Sequence, residues 1–236
     1  DDIDFSLIPD NVRVFSNAGA FSIPVAELAW GLALALAKGI SLRKRIEVYE
    51  VYGRNVLVLG AGGIGSEIAR IAKYGFNDYV IGLSRSFKNP EYFDVKLPIS
   101  KMNEVIGMAD IIFDALPLTR HTKGILNYSV LRNLKDKAIL VNVGRGDTIA
   151  EDDIYRILTE RPGIRFGTDV FWRKDGRETF DTKLWQLENF TGTLHTAGAY
   201  GNPEVNNRAK QLACENALRY ANGLPANNEV RRDDYA

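Results

Sequence analysis

The chain has 236 residues, 45% hydrophobic and 25% charged, which suits one large globular domain or one domain with part of another. Thirty basic residues balance thirty acidic ones, so no net field favours nucleic acid or a membrane as a partner. The single cysteine, Cys214, excludes an internal disulfide framework and indicates a reducing cytoplasm. It falls within the apolar pattern of a predicted C-terminal helix, so we expect a buried packing thiol. Only two histidines occur, without metal-ligand spacing, and we predict no bound metal.

The first long apolar segment, Phe21 to Ala37, predicts a helix and not a membrane span, because it is too short and contains Glu27. Ser22 is the expected N-cap, Pro24 suits the first turn, and Lys38-Gly39 indicates the end. A helix that is apolar on all sides must be buried. We therefore expect it to pack into the core and also to form a homodimer interface.

The next informative segment is Gly60-Ala61-Gly62-Gly63-Ile64-Gly65, which follows the apolar strand Val56–Leu59 and precedes a helical pattern. Gly60 permits the tight turn, Gly62 lets the backbone approach a pyrophosphate, and Gly65 permits close helix–strand packing. The helix N-terminus then offers N–H groups and a positive dipole end to phosphates. The segment predicts a dinucleotide site, although glycine turns also occur without a ligand.

The second strand, Tyr79–Leu83, ends in Ser84, Arg85 and Ser86, followed by Lys88, with no carboxylate. An NAD site usually has an acidic residue here that binds the ribose 2′-OH. Hydroxyls and a guanidinium suit a 2′-phosphate instead, so NADP is favoured over NAD. The alternative is an ordinary solvated basic turn.

Apolar strands and helical segments alternate after the glycine turn, which predicts an α/β fold with a doubly wound parallel sheet of the Rossmann type. The further strand candidates are Ile111–Ala115, Ala138–Val141, Ile164–Thr168 and Thr191–Leu194. The helix candidates are Gly63–Tyr74, Met102–Met108, Ser129–Asn133, Glu151–Thr159 and Pro203–Asn222.

Three loops follow predicted strand ends, where open α/β sheets bind their ligands. Leu116, Pro117 and Thr122 lie in the first loop and could line a cofactor, or form a plain proline turn. Arg145, between glycines, could bind a carboxylate bidentately, or be a surface arginine on a glycine turn. His195 could act as a general acid, although a lone histidine is more often structural.

In combination these segments resemble the D-isomer-specific 2-hydroxyacid dehydrogenase family over nearly the whole chain. The matching segments are Val25-Ala26-Glu27, Gly60 to Gly65, Pro117-Leu118-Thr119 with Thr122, Leu140 to Gly146, Gly167 to Phe171, Leu184 to Asn189, His195 to Gly198 and Gly223 to Asn227. The resemblance implies that Arg145 binds the substrate carboxylate and polarises the oxo oxygen, and that His195 protonates that oxygen. It also implies that Asp169 lies beside the nicotinamide. Other implied cofactor contacts are Gly63 and Ile64 at the pyrophosphate, and Val143, Gly144 and Gly198 beside the cofactor.

One departure from the family concerns the partner of His195. The family usually has a glutamate five residues after the Asp169 position that pairs with the histidine, whereas this chain has Lys174 there. A lysine would disfavour the protonated imidazole. We expect Asp175 to replace the glutamate, with Glu178 a more remote candidate.

The second departure concerns domain organisation. Relatives have about half of a substrate domain before the point where this sequence starts. We therefore expect a remnant of a smaller substrate domain in residues 1–20, a dinucleotide-binding domain in 21–202 and a returning helix and tail in 203–236.

The resulting functional prediction is hydride transfer between NADP(H) and a small 2-oxo or 2-hydroxy acid such as glyoxylate or hydroxypyruvate. The alternative is a catalytically weak, NAD(P)-sensing binding protein on the same scaffold, like the family's corepressors.

Overall fold

A seven-stranded parallel sheet forms the centre of the molecule in the computed structural model, which describes residues 5–40, 42, 44–198 and 200–234. The strands of the sheet are β1 (Asn55–Leu59), β2 (Tyr79–Leu83), β3 (Val95–Leu97), β4 (Ile111–Asp114), β5 (Ile139–Asn142), β6 (Arg165–Thr168) and β9 (Phe190–Gly192). Their spatial order is β3-β2-β1-β4-β5-β6-β9. This architecture confirms the predicted doubly wound α/β fold.

Helices cover both faces of the sheet. They are α1 (Ser22–Lys38), α2 (Gly63–Phe76), α3 (Met102–Val105), α4 (Tyr128–Leu131), α5 (Glu151–Glu160) and α6 (Pro203–Ala221). Helices α1 and α2 pack with one apolar cluster, and α3, α4 and α5 pack with the other. Side chains of β1 alternate between the clusters: Val56 and Val58 face α1 and α2, whereas Leu57 and Leu59 face the opposite layer. A strand buried on both faces is apolar throughout, so its continuous apolar run predicts the strand from sequence.

The structure corrects several details of the sequence interpretation. Phe21, not Ser22, precedes the first turn of α1, and Ser22 is already helical and buried. Strand β3 and a small hairpin of β7 (Arg173–Lys174) and β8 (Arg177–Glu178) were not predicted. Short irregular strands of this kind lack the continuous apolar run of a central strand.

Cys214 is exposed, so the expected buried thiol is wrong. Helix α6 buries only Val205 and Ala209 against the rest of the described chain. Apolar spacing along a helix indicates a face that can be covered, but it does not show how far the covering surface extends.

The chain's two terminal segments pair with each other beside the sheet. Phe15 and Glu229 form an antiparallel bridge, the Val230 N–H donates to the Val14 carbonyl at 2.9 Å, and Arg13 contacts Glu229 through two hydrogen bonds of 2.7 Å. Residues 1–4 of the expected N-terminal remnant and 235–236 of the tail lie outside the described residues. No helix within the described ranges is both long and apolar enough to cross a membrane.

Candidate active site

The glycine turn lies where the order of the sheet reverses, between β1 and its neighbours β2 and β4. Crevices at such a switch point are the usual ligand sites of open parallel sheets. Gly60 has a φ of +88°, and a Cβ there would lie 2.8 Å from the Ala115 carbonyl oxygen. A Cβ on Gly65 would lie 1.8 Å from the Gly60 oxygen, so only glycine allows α2 to start this close to β1.

The entrance to α2 fits a pyrophosphate. Gly62 is the residue before the helix, and a Cβ on it would meet nothing within 4 Å. The backbone there is therefore accessible to a ligand, and the first N–H groups of a 14-residue helix point toward the same space. Gly63 packs against α1, because a Cβ would lie 2.2 Å from Ser22 Oγ. The residues present thus fit a dinucleotide phosphate group on steric and dipolar grounds.

The basic turn after β2 packs over the glycine turn. The Lys88 N–H donates to the Ala61 carbonyl at 3.0 Å, which holds residues 84–88 beside Gly60–Gly65. The Arg85 side chain is largely exposed, and its Nη1 lies 2.9 Å from Asp234 Oδ1. Ser84 and Ser86 flank it, Ser84 partly buried and Ser86 exposed. This turn is therefore placed where the adenosine ribose of a bound dinucleotide would lie.

Arg145 and His195 line one cleft of about 500 Å³, together with Asp169. Its lining also includes Phe21, Ile64, Val143 and Gly198. A second cavity of about 490 Å³ shares Ile64, Val143 and Arg145 and adds Leu116, Pro117 and Gly144. The loops after β1, β4, β5, β6 and β9 thus meet along one continuous groove.

A buried polar network holds the loop that carries Arg145. The Asn142 amide donates to the Arg145 carbonyl at 2.9 Å, and Asn142 Oδ1 accepts the Gly144 N–H at 2.9 Å. Thr148 Oγ1 donates to Asp114 Oδ2 at 2.5 Å. Asp114 is fully buried, and this burial raises its pKa from 3.8 to about 6. These hydrogen bonds hold the loop that carries Arg145 in place. The Arg145 side chain donates from Nη1 to the Gly144 carbonyl.

His195 pairs with Glu178, whose Oε2 lies 2.6 Å from His195 Nδ1. The other carboxylate oxygen of Glu178 accepts the Phe171 N–H at 2.7 Å, which fixes its orientation. The expected pairing with Asp175 is wrong, because Asp175 lies at the exposed tip of the β7–β8 hairpin with φ +52°. With Nδ1 engaged by the carboxylate, Nε2 is the ring nitrogen left for a substrate.

The hairpin explains why the carboxylate is displaced in sequence. Arg173 pairs with Glu178 and Lys174 with Arg177, so the two-residue loop is Asp175-Gly176, and both loop residues have positive φ. Asp-Gly is a preferred dipeptide for such type I′ turns. Lys174 through Arg177 therefore form an extension that leaves Glu178 beside His195, and this Asp-Gly signal could have identified it from sequence.

Asp169 organises the histidine loop. It is 2% exposed, its carboxylate accepts the Thr196 and Ala197 N–H groups at 2.9 and 3.1 Å, and Thr193 Oγ1 donates to it at 2.6 Å. Its backbone carbonyl accepts the His195 N–H at 2.9 Å. These bonds hold His195 at a φ of +53°, an uncommon conformation for a side chain other than glycine. Asp169 thus fixes the histidine while it lines the same cleft.

Thr122 lies outside both cavity linings. Its hydroxyl donates to the Pro117 carbonyl at 2.6 Å and accepts the Thr119 N–H at 2.8 Å, so it braces its own loop. A cofactor contact for Thr122 stays a prediction. The sequence did not reveal the roles of Asp114, Asn142 and Thr148, because those roles depend on burial and on hydrogen bonds between loops. In the part of the chain described, no group of three or more potential metal ligands occurs.

The fold and groove define a dinucleotide-binding domain with an arginine and a carboxylate-paired histidine at its open edge. Residues 29–197 match the family model described as "D-isomer specific 2-hydroxyacid dehydrogenase, NAD binding domain". The chain belongs to the D-isomer specific 2-hydroxyacid dehydrogenase family, as its sequence motifs predicted.

Individual relatives agree with this assignment. A glyoxylate reductase from Pyrococcus furiosus is 30% identical over 74% of this chain and 50% of its own length. A crystal structure from Pyrobaculum aerophilum, described provisionally as a formate dehydrogenase, is 33% identical with a TM-score of 0.86, over 98% of this chain and 78% of that one. A Xanthobacter autotrophicus family member in complex with NADPH and MES is 25% identical with a TM-score of 0.80, over 96% and 95% of the two chains. The chain therefore spans about half the length of the glyoxylate reductase.

Proposed function

We propose that the chain reduces small 2-oxo acids with NADPH, or oxidises the corresponding 2-hydroxy acids with NADP⁺. The observation that carries this proposal is the cleft that Arg145 and the Glu178-paired His195 line together. A 2-oxo acid presents a carboxylate and an adjacent carbonyl oxygen. An arginine and a proton donor beside one cleft match these two groups.

In this proposal Arg145 holds the substrate carboxylate and polarises the oxo oxygen. His195 Nε2 donates a proton to that oxygen in reduction and accepts it in oxidation, and Glu178 stabilises the protonated ring through Nδ1. Asp169 keeps the histidine loop in place. The nicotinamide cofactor supplies the hydride when it is bound, and the protein supplies alignment and charge.

The proposed cofactor contacts follow the groove. Gly60, Gly62, Gly63, Ile64 and Gly65 would hold the pyrophosphate at the start of α2, and Ser84, Arg85 and Ser86 the 2′-phosphate. Leu116, Pro117, Thr122, Val143, Gly144, Asp169 and Gly198 would line the remainder. The absence of a carboxylate in the turn at 84–88 and the NADPH complex of the Xanthobacter relative support NADP over NAD.

The proposed substrate class is glyoxylate or hydroxypyruvate. The name of the Pyrococcus relative supports it, as does a cleft of about 500 Å³, which is ample for a two- or three-carbon acid beside a nicotinamide ring.

We also propose a division into two units and a homodimer contact. Residues 1–20 and 203–236 would belong to the substrate unit, which the Phe15–Glu229 bridge supports, and 21–202 to the dinucleotide-binding unit. Helix α1 would form a homodimer contact, because it leaves Ile23 47% exposed although its other face is in the core. The balanced charge and single cysteine support a cytoplasmic protein without nucleic-acid or membrane partners.

A substrate panel with both nicotinamide cofactors tests the proposal. We expect the chain to oxidise NADPH in the presence of glyoxylate, hydroxypyruvate or pyruvate, and NADH more slowly. A cofactor-sensing protein would bind NADPH without turnover of any of the three acids, and that result would contradict the enzyme assignment. Faster turnover with NADH would contradict the cofactor assignment alone.

A further inference from the structure

The C-terminal tail brings a carboxylate to the turn that lacks one. Asp234 Oδ1 lies 2.9 Å from Arg85 Nη1, and the Arg120 N–H donates to the Asp234 carbonyl at 3.4 Å. Arg85 follows β2 and Arg120 follows β4, the two neighbours of β1 in the sheet. Asp234 therefore lies between the loops that follow β2 and β4, the strands on either side of β1.

The tail is anchored where it delivers this carboxylate. Residues Arg232–Asp234 form a short 3₁₀ turn, and the Arg232 guanidinium donates to the carbonyls of Ile8, Pro9 and Val12. The Asp234 side chain is 15% exposed, whereas Arg85 is 62% exposed. The aspartate is thus the more buried partner of the pair, and the arginine is the more exposed one.

A carboxylate at this place has opposite effects on the two nicotinamide dinucleotides. It can accept a hydrogen bond from a free ribose 2′-OH, the role that an acidic residue at the end of the second strand has in NAD-binding domains. It repels a 2′-phosphate and competes with that phosphate for the Arg85 guanidinium. Neutral replacement of Asp234 should therefore strengthen the binding of NADPH relative to that of NADH.

We propose that Asp234 is a specificity-determining residue that lowers the preference for NADP(H) by pairing with Arg85 and facing the ribose 2′ position. This inference rests on the proposed function, because it assumes that a dinucleotide binds along the glycine turn. It means that cofactor choice in this chain depends on a residue 149 positions beyond Arg85.

The test is fluorescence titration of the whole chain with NADPH and NADH, and competition with 2′,5′-ADP and 5′-AMP as probes of the adenosine half. Asp234→Asn removes the charge with little change in shape. Asp233→Asn is the matched control, since Asp233 lies in the same turn and is exposed. We expect Asp234→Asn to raise the ratio of the NADH to the NADPH dissociation constant about tenfold. The same variant should tighten 2′,5′-ADP but not 5′-AMP, and Asp233→Asn should leave all four constants within about twofold.

An unchanged ratio in Asp234→Asn, or an equal change in Asp233→Asn, would overturn the inference while leaving the proposed function intact. Failure of the unaltered chain to bind any of the four probes would overturn the proposed function as well. Binding does not depend on turnover, so the two failures are distinguishable.

Discussion

His195 pairs with Glu178, although Asp175 lies closer in sequence to the position where the family usually has its glutamate. Glu178 contacts His195 Nδ1 and the Phe171 N–H at the same time, so its orientation is fixed. Asp175 is three residues away in the chain but lies at the exposed hairpin tip. The two carboxylates form a matched pair for mutagenesis.

Glu178→Gln should lower kcat/KM for 2-oxo acid reduction about 100-fold, because the amide no longer stabilises a protonated imidazole. The NADPH dissociation constant should stay unchanged, which separates this effect from a disturbed fold. Asp175→Asn should leave kcat/KM within about twofold. Steady-state kinetics with a parallel cofactor titration measures both quantities, and equal losses in the two variants would refute the pairing.

The burial of Asp114 predicts that the free energy of unfolding depends on pH. Its pKa in the folded protein is about 6, above its ordinary value of 3.8, so the folded chain binds this proton more tightly than the unfolded chain. Its contribution is therefore present at low pH and is lost as the pH rises from about 4 to about 6.

The free energy of unfolding of Asp114→Asn, relative to that of the unaltered protein, should rise by about 2 to 3 kcal/mol between about pH 4 and about pH 7. Urea unfolding of both proteins at the two pH values gives this difference. Asp78, the other carboxyl group with a raised pKa among the described residues, is present in both proteins, so its contribution cancels. A difference independent of pH would show that Asp114 is not the titrating group.

At the scale of elements, the β7–β8 hairpin is an extension whose deletion should leave Arg173 and Glu178 close to their present positions. Arg173 and Glu178 are paired across the hairpin, and Cα atoms of such partners are about 4.5 to 5.5 Å apart. A single trans peptide spans about 3.8 Å, so the two residues could be joined after a small adjustment. Glu178 would then follow Asp169 by five residues, the spacing that the family resemblance implies.

A variant that lacks residues 174–177 should therefore keep reductase activity within about tenfold of the unaltered chain, and Glu178→Gln should still inactivate it. Deletion of Arg177 alone is the control, because a one-residue shift turns the following side chains to the opposite face of a strand. That control should lose activity about as strongly as Glu178→Gln. If the four-residue deletion is the less active of the two, the hairpin is not a neutral extension.

The elements that could be predicted are those whose cause is local. The glycine turn, the central strands and α1 follow from steric demand at Gly60 and Gly65 and from burial on both sheet faces. The residues that could not be predicted depend on distant neighbours. Asp114 acquires its role through full burial, and Cys214 is exposed because little of the described chain packs against α6. Glu178, in contrast, is displaced by a local hairpin, and the Asp175-Gly176 turn could have identified it from sequence.

For the whole molecule, the proposed α1 contact predicts a homodimer, with a mass of about twice 26.3 kDa by light scattering. Gly31 lies on the exposed side of α1, and a Cβ on it would meet nothing within 4 Å, so a partner backbone could approach there. Gly31→Glu should produce a monomer. Gly75→Glu, at a glycine near the end of α2, should stay a dimer. A monomeric unaltered chain would contradict the contact.

The most direct test of the central claim compares the unaltered chain with His195→Ala in two measurements: NADPH oxidation with glyoxylate or hydroxypyruvate, and NADPH binding. The cleft formed by Arg145 and His195 predicts that the variant binds NADPH as the unaltered chain does but loses reduction by about 1000-fold. Turnover by His195→Ala at the rate of the unaltered chain would contradict the claim that this histidine supplies the proton.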